Sequence, residues 1–236
     1  MKTTTLFALP LILLSTLARA GEAPAPKAKR PTVAVLYFDT DSTEPDLVAL
    51  RKGLAQMLIT DLASTGGAVV VERSRLQEIM DELKLGQSTK LDQATTAKIG
   101  KLLGAHYQVV GGFFKLGQKL RVDARVNSVE TGATVLTASA NGALGDLLEM
   151  ESSIASKLGE GIAKLAPAEA AAPPPKAEEA PKKPKKVSAK AVAAYSRALD
   201  AIDRKDKGTA KTELTEVLAE QPDFSYARIE LASLMR

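Results

Sequence analysis

The sequence contains no cysteine and no tryptophan, and it has one histidine among 236 residues. Without cysteine the chain cannot form a disulfide, a zinc–thiolate centre or a lipid-modified amino-terminal cysteine. A single histidine leaves almost nothing for imidazole-built metal sites or for serine–histidine catalysis. Aromatic residues make up only 4% of the chain, which argues against an aromatic-lined ligand groove. We therefore expect no catalytic, cofactor-binding or metal-binding residues of these types.

The amino-terminal segment, residues 1–20, has the pattern of a secretory signal peptide. Lys2 precedes a short apolar run at 6–17, and Ala18-Arg19-Ala20 fits the small-x-small cleavage pattern. The apolar run is too short to span a bilayer, so cleavage and export to the periplasm are expected; an uncleaved anchor is the alternative. Cleavage removes two of the positive charges behind the formal net charge of +4. The remaining net charge is too small to indicate nucleic-acid binding. No later segment has the apolar pattern of a membrane helix.

Two tracts rich in proline, alanine and lysine, at 21–31 and 166–187, predict linkers. They divide the chain into a domain at 32–165 and a small unit at 188–236. The lysine run near the end of the second linker, at 182–186, is typical of a solvated spacer, with weak contact to acidic polymers or lipid headgroups as the alternative.

Hydrophobic periodicity predicts an α/β fold for the domain at 32–165. An apolar run at 32–38 indicates a buried strand, and a leucine stripe follows in a helix that ends at Gly66-Gly67. Thr43 and Asp46 form a candidate capping box with Pro45 in the first turn, and Ser74 is a candidate N-cap for the second helix. A third helix is predicted to begin near Asp92.

After Gly104 the apolar period changes from 3.6 to 2, which predicts three antiparallel strands before a closing helix. In the middle strand Leu120, Val122 and their alternate neighbours are apolar, whereas Arg121 and Asp123 begin the polar face. The predicted fold class is a mixed sheet with a carboxy-terminal antiparallel three-strand meander packed by helices, then a small all-α repeat-like unit.

The unit at 188–236 resembles one tetratricopeptide repeat followed by the first helix of the next. Ala198 and Ala232 lie one 34-residue period apart, and Ala210, Leu214 and Pro222 fall at repeat positions. Ala194 and Ala201 depart from the pattern, which places aromatic residues there, and a generic helical hairpin is the alternative. So short an array cannot bury a continuous core alone. It should therefore pack on its own first domain, on a second copy or on a partner.

The first strand ends in Asp39-x-Asp41-x-Thr43, a spacing that resembles the first motif of haloacid dehalogenase-type phosphatases. The resemblance implies Asp39 as nucleophile and Asp41 as general acid, with magnesium, and Ser74 matches a second element. The paired acids that complete such a site are missing, because Asp146 and Glu149 fall on a predicted helix. The alternative, which we prefer, is that these acids lie at the amino-terminal end of a helix and favour its dipole.

His106 begins a predicted strand and has no second histidine or cysteine to pair with. A partly exposed strand residue is the preferred interpretation over a ligand or a general base.

Three segments carry a wider resemblance: "VVERSRLQEIMDEL", "AKIGKLLGAHYQVVGG" and "LRVDARVNSVETGATV". Together with "VAVLYFDTDS" they resemble the CsgG/FlgO-like periplasmic domain family, which also includes LpoB and the amino-terminal domain of TolB. The resemblance covers about 32–165 and implies a binding or assembly module of the cell envelope. The missing lipidation cysteine and the tight turns between strands depart from the pore-forming members.

We therefore expect a non-catalytic periplasmic adaptor of the cell envelope that binds one or more envelope proteins. Self-association through 188–236 is a further expectation. The alternatives are a subunit of an outer-membrane, curli-type secretion assembly and a magnesium-dependent phosphatase that uses Asp39 and Asp41.

Overall fold

The structure, a computed structural model, describes residues 30–85, 91–165 and 186–235. The predicted signal peptide and nearly all of both predicted linkers lie outside these residues.

A six-stranded mixed sheet forms the centre of the α/β domain. Its strands run in the spatial order β3-β1-β4-β5-β6, with β2 also paired to β4. The pairs of β1 with β3, β1 with β4 and β2 with β4 are parallel, whereas β4, β5 and β6 form an antiparallel meander. The strands are β1 (Thr32–Val35), β2 (Asp39–Thr40), β3 (Val69–Val70), β4 (Tyr107–Leu116), β5 (Lys119–Ser128) and β6 (Thr134–Ala143).

Helices pack on both faces of the sheet and continue beyond it. The helices are α1 (Pro45–Thr65), α2 (Arg73–Glu82), α3 (Gln93–Leu102), α4 (Leu147–Leu165), α5 (Ala189–Asp203), α6 (Lys207–Glu220) and α7 (Ser225–Leu234). This architecture confirms the predicted mixed sheet with its antiparallel meander, followed by an all-α segment. We call α5–α7 the helical unit.

The predicted cap of α1 is wrong. Glu44 is the N-cap and makes no side-chain capping bond. The preceding hydroxyls serve the loop instead: Thr40 Oγ1 accepts from the Ser42 N–H at 3.2 Å, and Ser42 Oγ accepts from the Glu44 N–H at 3.1 Å. Pro45 does occupy the first turn, where its missing N–H does no harm.

Of the caps predicted for the next two helices, the first is wrong and the second is confirmed. Helix α2 begins at Arg73, with Glu72 as its N-cap, so Ser74 is not the cap that the sequence predicts. The prediction for α3 is confirmed, because Asp92 accepts a hydrogen bond from the Thr95 N–H at 2.6 Å.

Two apolar cores lie on opposite faces of the sheet. The smaller joins Ala34 of β1, and Leu36 just after that strand, to apolar residues of α2 and α3. The larger joins the other face to α1, α4 and the helical unit. The alternation predicted for β5 is confirmed, since Leu120, Val122, Ala124 and Val126 are all buried in the larger core.

The helical unit packs on its own α/β domain, the first of the three destinations that the sequence leaves open. Helix α5 lies along α1, and Tyr195, Phe224 and Tyr226 form a buried aromatic cluster at the junction. Full burial of a side chain such as Phe224 contributes roughly 1.5–3 kcal/mol. The repeat positions Ala198, Ala210 and Leu214 are fully buried. The tetratricopeptide assignment itself stays a prediction.

Helices α1 and α5 approach closely at Gly53. A Cβ atom at this position would lie 2.2 Å from Ser196 Oγ and 3.3 Å from Ser196 Cβ. The Ser196 hydroxyl is itself held by a 2.9 Å hydrogen bond to the Val192 carbonyl. The glycine therefore sets how near the two helices lie.

Gly53→Ala should loosen this contact and destabilise the protein by about 1–2 kcal/mol, because overpacking a tight core displaces its neighbours. Adding Ser196→Ala removes the nearer clash and should restore most of the loss. Urea unfolding measures both variants. Gly145→Ala is the control, since its Cβ would meet only the Val187 carbonyl at an ordinary 3.6 Å. A Gly53→Ala protein as stable as the parent would contradict the close approach.

Candidate functional site

A buried charge cluster joins the helical unit to the α/β domain. Lys52 Nζ of α1 lies 2.5 Å from Asp200 Oδ1 and 2.8 Å from Asp203 Oδ2, both in the last turns of α5. Arg73 Nη1 lies 2.5 Å from Asp203 Oδ1. The side chains of Arg73 and Asp203 are only 6% and 8% exposed. Because they lie in a region of low dielectric, each charge needs the opposite charge of the other to offset its loss of hydration.

Neighbouring side chains orient the two cations of this cluster. Arg73 also donates through Nε to Gln56 Oε1 at 3.1 Å. Lys52 Nζ lies 5.4 Å from the centre of the Tyr37 ring, within the range of a cation–π contact. Sequence reasoning missed this cluster, because Lys52 lies off the leucine stripe of α1 and Arg73 directly precedes the residue predicted as a cap, so no local pattern marks either cation as buried.

A second polar contact lies deeper in the same interface. The Tyr226 hydroxyl donates to Asp61 Oδ1 at 2.9 Å and lies 3.4 Å from Glu151 Oε2. Glu151 is 1% exposed. Burial raises the pKa of its carboxyl to about 8, partly offset by the Tyr226 hydrogen bond. Glu151 is therefore largely protonated at neutral pH, which limits the charge that this region must bury.

Asp203→Asn should destabilise the protein by about 3 kcal/mol, because it leaves Arg73 buried without its carboxylate. The matched control is Glu44→Gln, which removes the exposed Lys115–Glu44 pair (3.0 Å) and should change little. Chemical denaturation of both variants tests the cluster. Equal effects of the two substitutions would mean that the cluster does not hold the interface.

Stability should fall as pH rises towards 8 because of Glu151. Its pKa is about 8 in the folded protein against an ordinary 4.5, so between these values the unfolded chain releases a proton that the folded chain keeps. The loss is absent below about 4.5 and complete above about 8. Glu151→Gln should flatten the profile of melting temperature against pH. Glu149→Gln, two residues away on the exposed side of α4, should leave the profile as it is. Identical profiles for the parent and Glu151→Gln would contradict this account.

A cleft opens on the other face of the sheet, beyond the end of β1 and beside α3. Its cavity volume is about 380 Å³. Strand β4 contributes Gln108 and Val110, β5 contributes Arg125 and Asn127, and α3 contributes Gln93 from its first turn. The cleft is partly apolar and partly polar, as ligand sites commonly are.

An arginine and a glycine shape the end of the cleft nearest β2. Arg51 is buried and donates through Nε to the Phe38 carbonyl at 2.8 Å, while its Nη2 lies 3.8 Å from Asp39 Oδ1. Burial lowers the pKa of Arg51, and the nearby Asp39 opposes that shift. Gly111 is required in β4, because a Cβ there would lie 2.5 Å from both the Phe38 ring and the Asp123 carbonyl oxygen.

The residues of the phosphatase-like motif do not assemble into a metal site. Asp39 lies in β2 against Arg51, whereas Ser74 is exposed in the first turn of α2. Glu149 is exposed on α4. Across residues 30–85, 91–165 and 186–235, no group of three or more His, Asp or Glu side chains is placed to hold a metal ion.

The single histidine has a structural contact. His106 is exposed, and its Nδ1 accepts a 3.0 Å hydrogen bond from the Thr32 N–H. It thus ties the residue before β4 to the start of β1. The strand predicted to begin at His106 begins one residue later, at Tyr107.

None of the helices in the described part of the chain has both the length and the apolar character to cross a membrane.

The family model for the curli production assembly/transport component CsgG matches residues 13–143, more than half of the chain. This chain belongs to the CsgG family. The match spans the sheet, α1–α3 and the cleft, and stops before α4 and the helical unit. Membership confirms the resemblance seen in the sequence.

Several other proteins are similar to this chain. A putative adenylate cyclase 3 from Rhizobium meliloti (strain 1021) is 26% identical over 113 residues, covering 48% of this chain and 18% of that protein. The chain thus spans about a fifth of the length of this curated relative. The LpoB C-terminal domain from Escherichia coli is 17% identical, with a TM-score of 0.40, over 51% of this chain and 87% of that one. The PelC dodecamer from Paraburkholderia phytofirmans is 17% identical, with a TM-score of 0.34, over 58% of this chain and 91% of its own.

Proposed function

We propose that this protein is a non-catalytic adaptor of the cell envelope that acts in the periplasm and binds envelope proteins. The observation that carries the proposal is its membership of the CsgG family, whose description names production, assembly and transport. The signal-peptide pattern at 1–20 supports the compartment.

The exposed half of the sheet offers a surface for such a partner. On the face opposite α4, strands β5 and β6 present Arg121, Thr137, Ser139 and Asn141, while Phe114 of β4 is 39% exposed. Helices α2 and α3 pack near β1 on this side and join the smaller core there. The helical unit packs on the opposite side. We infer that the partner binds the face formed by these strands, which we call the open meander face.

A subunit of an outer-membrane secretion assembly is the second candidate function, favoured by the word "transport" in the family description. It predicts a large particle that leaves the envelope only with detergent. The adaptor predicts a species released without detergent.

The adaptor proposal also requires that the protein has no phosphatase activity of its own. With magnesium present, a generic phosphomonoester should not be hydrolysed above background. Turnover that disappears in Asp39→Asn would overturn the non-catalytic proposal and favour the phosphatase that the motif resembles.

A photo-crosslinking residue at Ser139 tests the adaptor in its native host. We expect a discrete crosslinked product with another envelope protein, in material released by osmotic shock. The matched control is the same residue at Thr215, exposed on α6 away from the sheet, which should not give that product. The same product at both positions, or none at either, would contradict binding through the open meander face. A large ring-like particle found only in detergent would instead favour the secretion assembly.

A further inference from the structure

The cleft beside α3 carries one excess positive charge. Arg51 is balanced by Asp39 within the cleft lining. On β5 the Arg121 guanidinium is paired with Asp123, at 2.7 Å. Arg125 follows on the same face of the strand, lines the cleft, and forms no ion pair with any of the described residues. A guanidinium in this setting suits a single planar anion, because its paired N–H groups match a carboxylate.

Carboxamide groups surround this charge. Gln108 is 3% exposed and lines the cleft; its Oε1 lies on the side of Gly100 of α3 and has no hydrogen-bond partner among the described residues. Native proteins seldom bury an amide oxygen in this way without a ligand or water to satisfy the group. Asn127 uses its Oδ1 to accept from Thr134 Oγ1 at 2.8 Å, so its amide nitrogen is the end that can serve a ligand. Gln93 adds a third carboxamide.

Part of the remaining lining is aliphatic. Leu36, Met80, Ala97 and Val110 form an apolar part of the cleft beside the polar groups. A cavity of about 380 Å³ accommodates a molecule of one or two amino-acid residues, and it lies within the usual range of ligand sites. Side-chain amides both donate and accept hydrogen bonds, as peptide groups do.

We propose that this cleft binds the carboxyl-terminal end of a short peptide. Arg125 pairs with the terminal carboxylate, Gln93, Gln108 and Asn127 hydrogen-bond the adjoining peptide groups, and the aliphatic lining takes a small side chain. The site goes beyond the adaptor role, because its binding is measured without any partner protein. Its cleft adjoins the open meander face, where Arg125 lies opposite Thr137 and near Ser139.

The charge balance disfavours a phosphate group. A dianion would meet one uncompensated guanidinium, while Asp39 lines the same cleft and Asp92 already caps the amino terminus of α3. Repulsion from these two carboxylates weakens the binding of a doubly charged ligand more than the binding of a singly charged carboxylate.

Titration of the intact protein with N-acetyl-alanyl-alanine, followed by two-dimensional NMR, tests the proposal. Its carboxyl-terminal amide is the matched probe without charge, and inorganic phosphate is the probe for the competing anion. We expect saturable shifts of the Gln93, Gln108 and Asn127 side-chain amides with the free acid. The amide should bind at least about tenfold more weakly, because a hydrogen-bonded charge is worth more than a neutral contact.

Two arginine variants locate the carboxylate. Arg125→Gln should abolish saturable binding of the free acid, whereas Arg121→Gln, four residues earlier and already paired with Asp123, should preserve it. Because Arg125 is exposed, the variant should keep the parent's backbone spectrum.

Several results would overturn the proposal: no saturable shift, equal binding of the acid and its amide, or equal loss in both arginine variants. Phosphate binding that is tighter than peptide binding and depends on Arg125 would replace the peptide carboxylate with a phosphate ligand. None of these results depends on whether Ser139 crosslinks to an envelope protein, so the two proposals fail separately.

Discussion

Helix α1 must bury charged side chains on the surface that contacts α5–α7, and the rest of the structure depends on how those charges are satisfied. Its leucines pack on the sheet, while Lys52 and Asp61 face the helical unit. An unpaired charge in such a place would cost several kcal/mol. Asp203 supplies the partner for Lys52, and the Tyr226 hydroxyl supplies the partner for Asp61. The helical unit is therefore the element that completes the surface of α1.

Because the helical unit completes the surface of α1, it does not behave as a unit independent of the α/β domain. A spacer rich in proline, alanine and lysine is typical of units that move independently. Here the α/β domain and the helical unit share one continuous apolar core, which includes Leu54 of α1 and Tyr195 of α5. The charge cluster adds specificity to that contact, because it is satisfied in one alignment of α5 on α1. The adaptor we propose thus presents its open meander face from a body supported by the helical unit.

Much of the fold could be predicted from the sequence because its signals are local. The leucine stripe, the change of period after Gly104 and the cap at Asp92 each depend on residues a few positions apart. The predicted caps at Thr43 and Ser74 were wrong, because a short sequence pattern does not show at which residue the helix begins. The hydroxyls of Thr40 and Ser42 satisfy the loop before α1, and the N-cap of α2 is Glu72, two residues before the predicted cap.

The interface and the cleft could not be predicted in the same way. Lys52 and Asp203 are 151 residues apart in the chain, and no periodicity links them. The cleft gathers Gln108 and Arg125 from two strands with Gln93 from a helix, a set that only the register of β4 on β5 brings together. Family membership, by contrast, was evident from three sequence segments, since these carry the turns and stripes of the domain.

The central claim is that α1 and the helical unit are stabilised as one unit through buried charges. Native-state hydrogen exchange of the full chain in increasing urea tests it most directly, because it measures the opening free energy of each helix. The account predicts that the amides of α1, α4 and α5 exchange through one common opening, with the same dependence on urea. Helices α5–α7 that open at much lower free energy, while α1 stays fully protected, would contradict it.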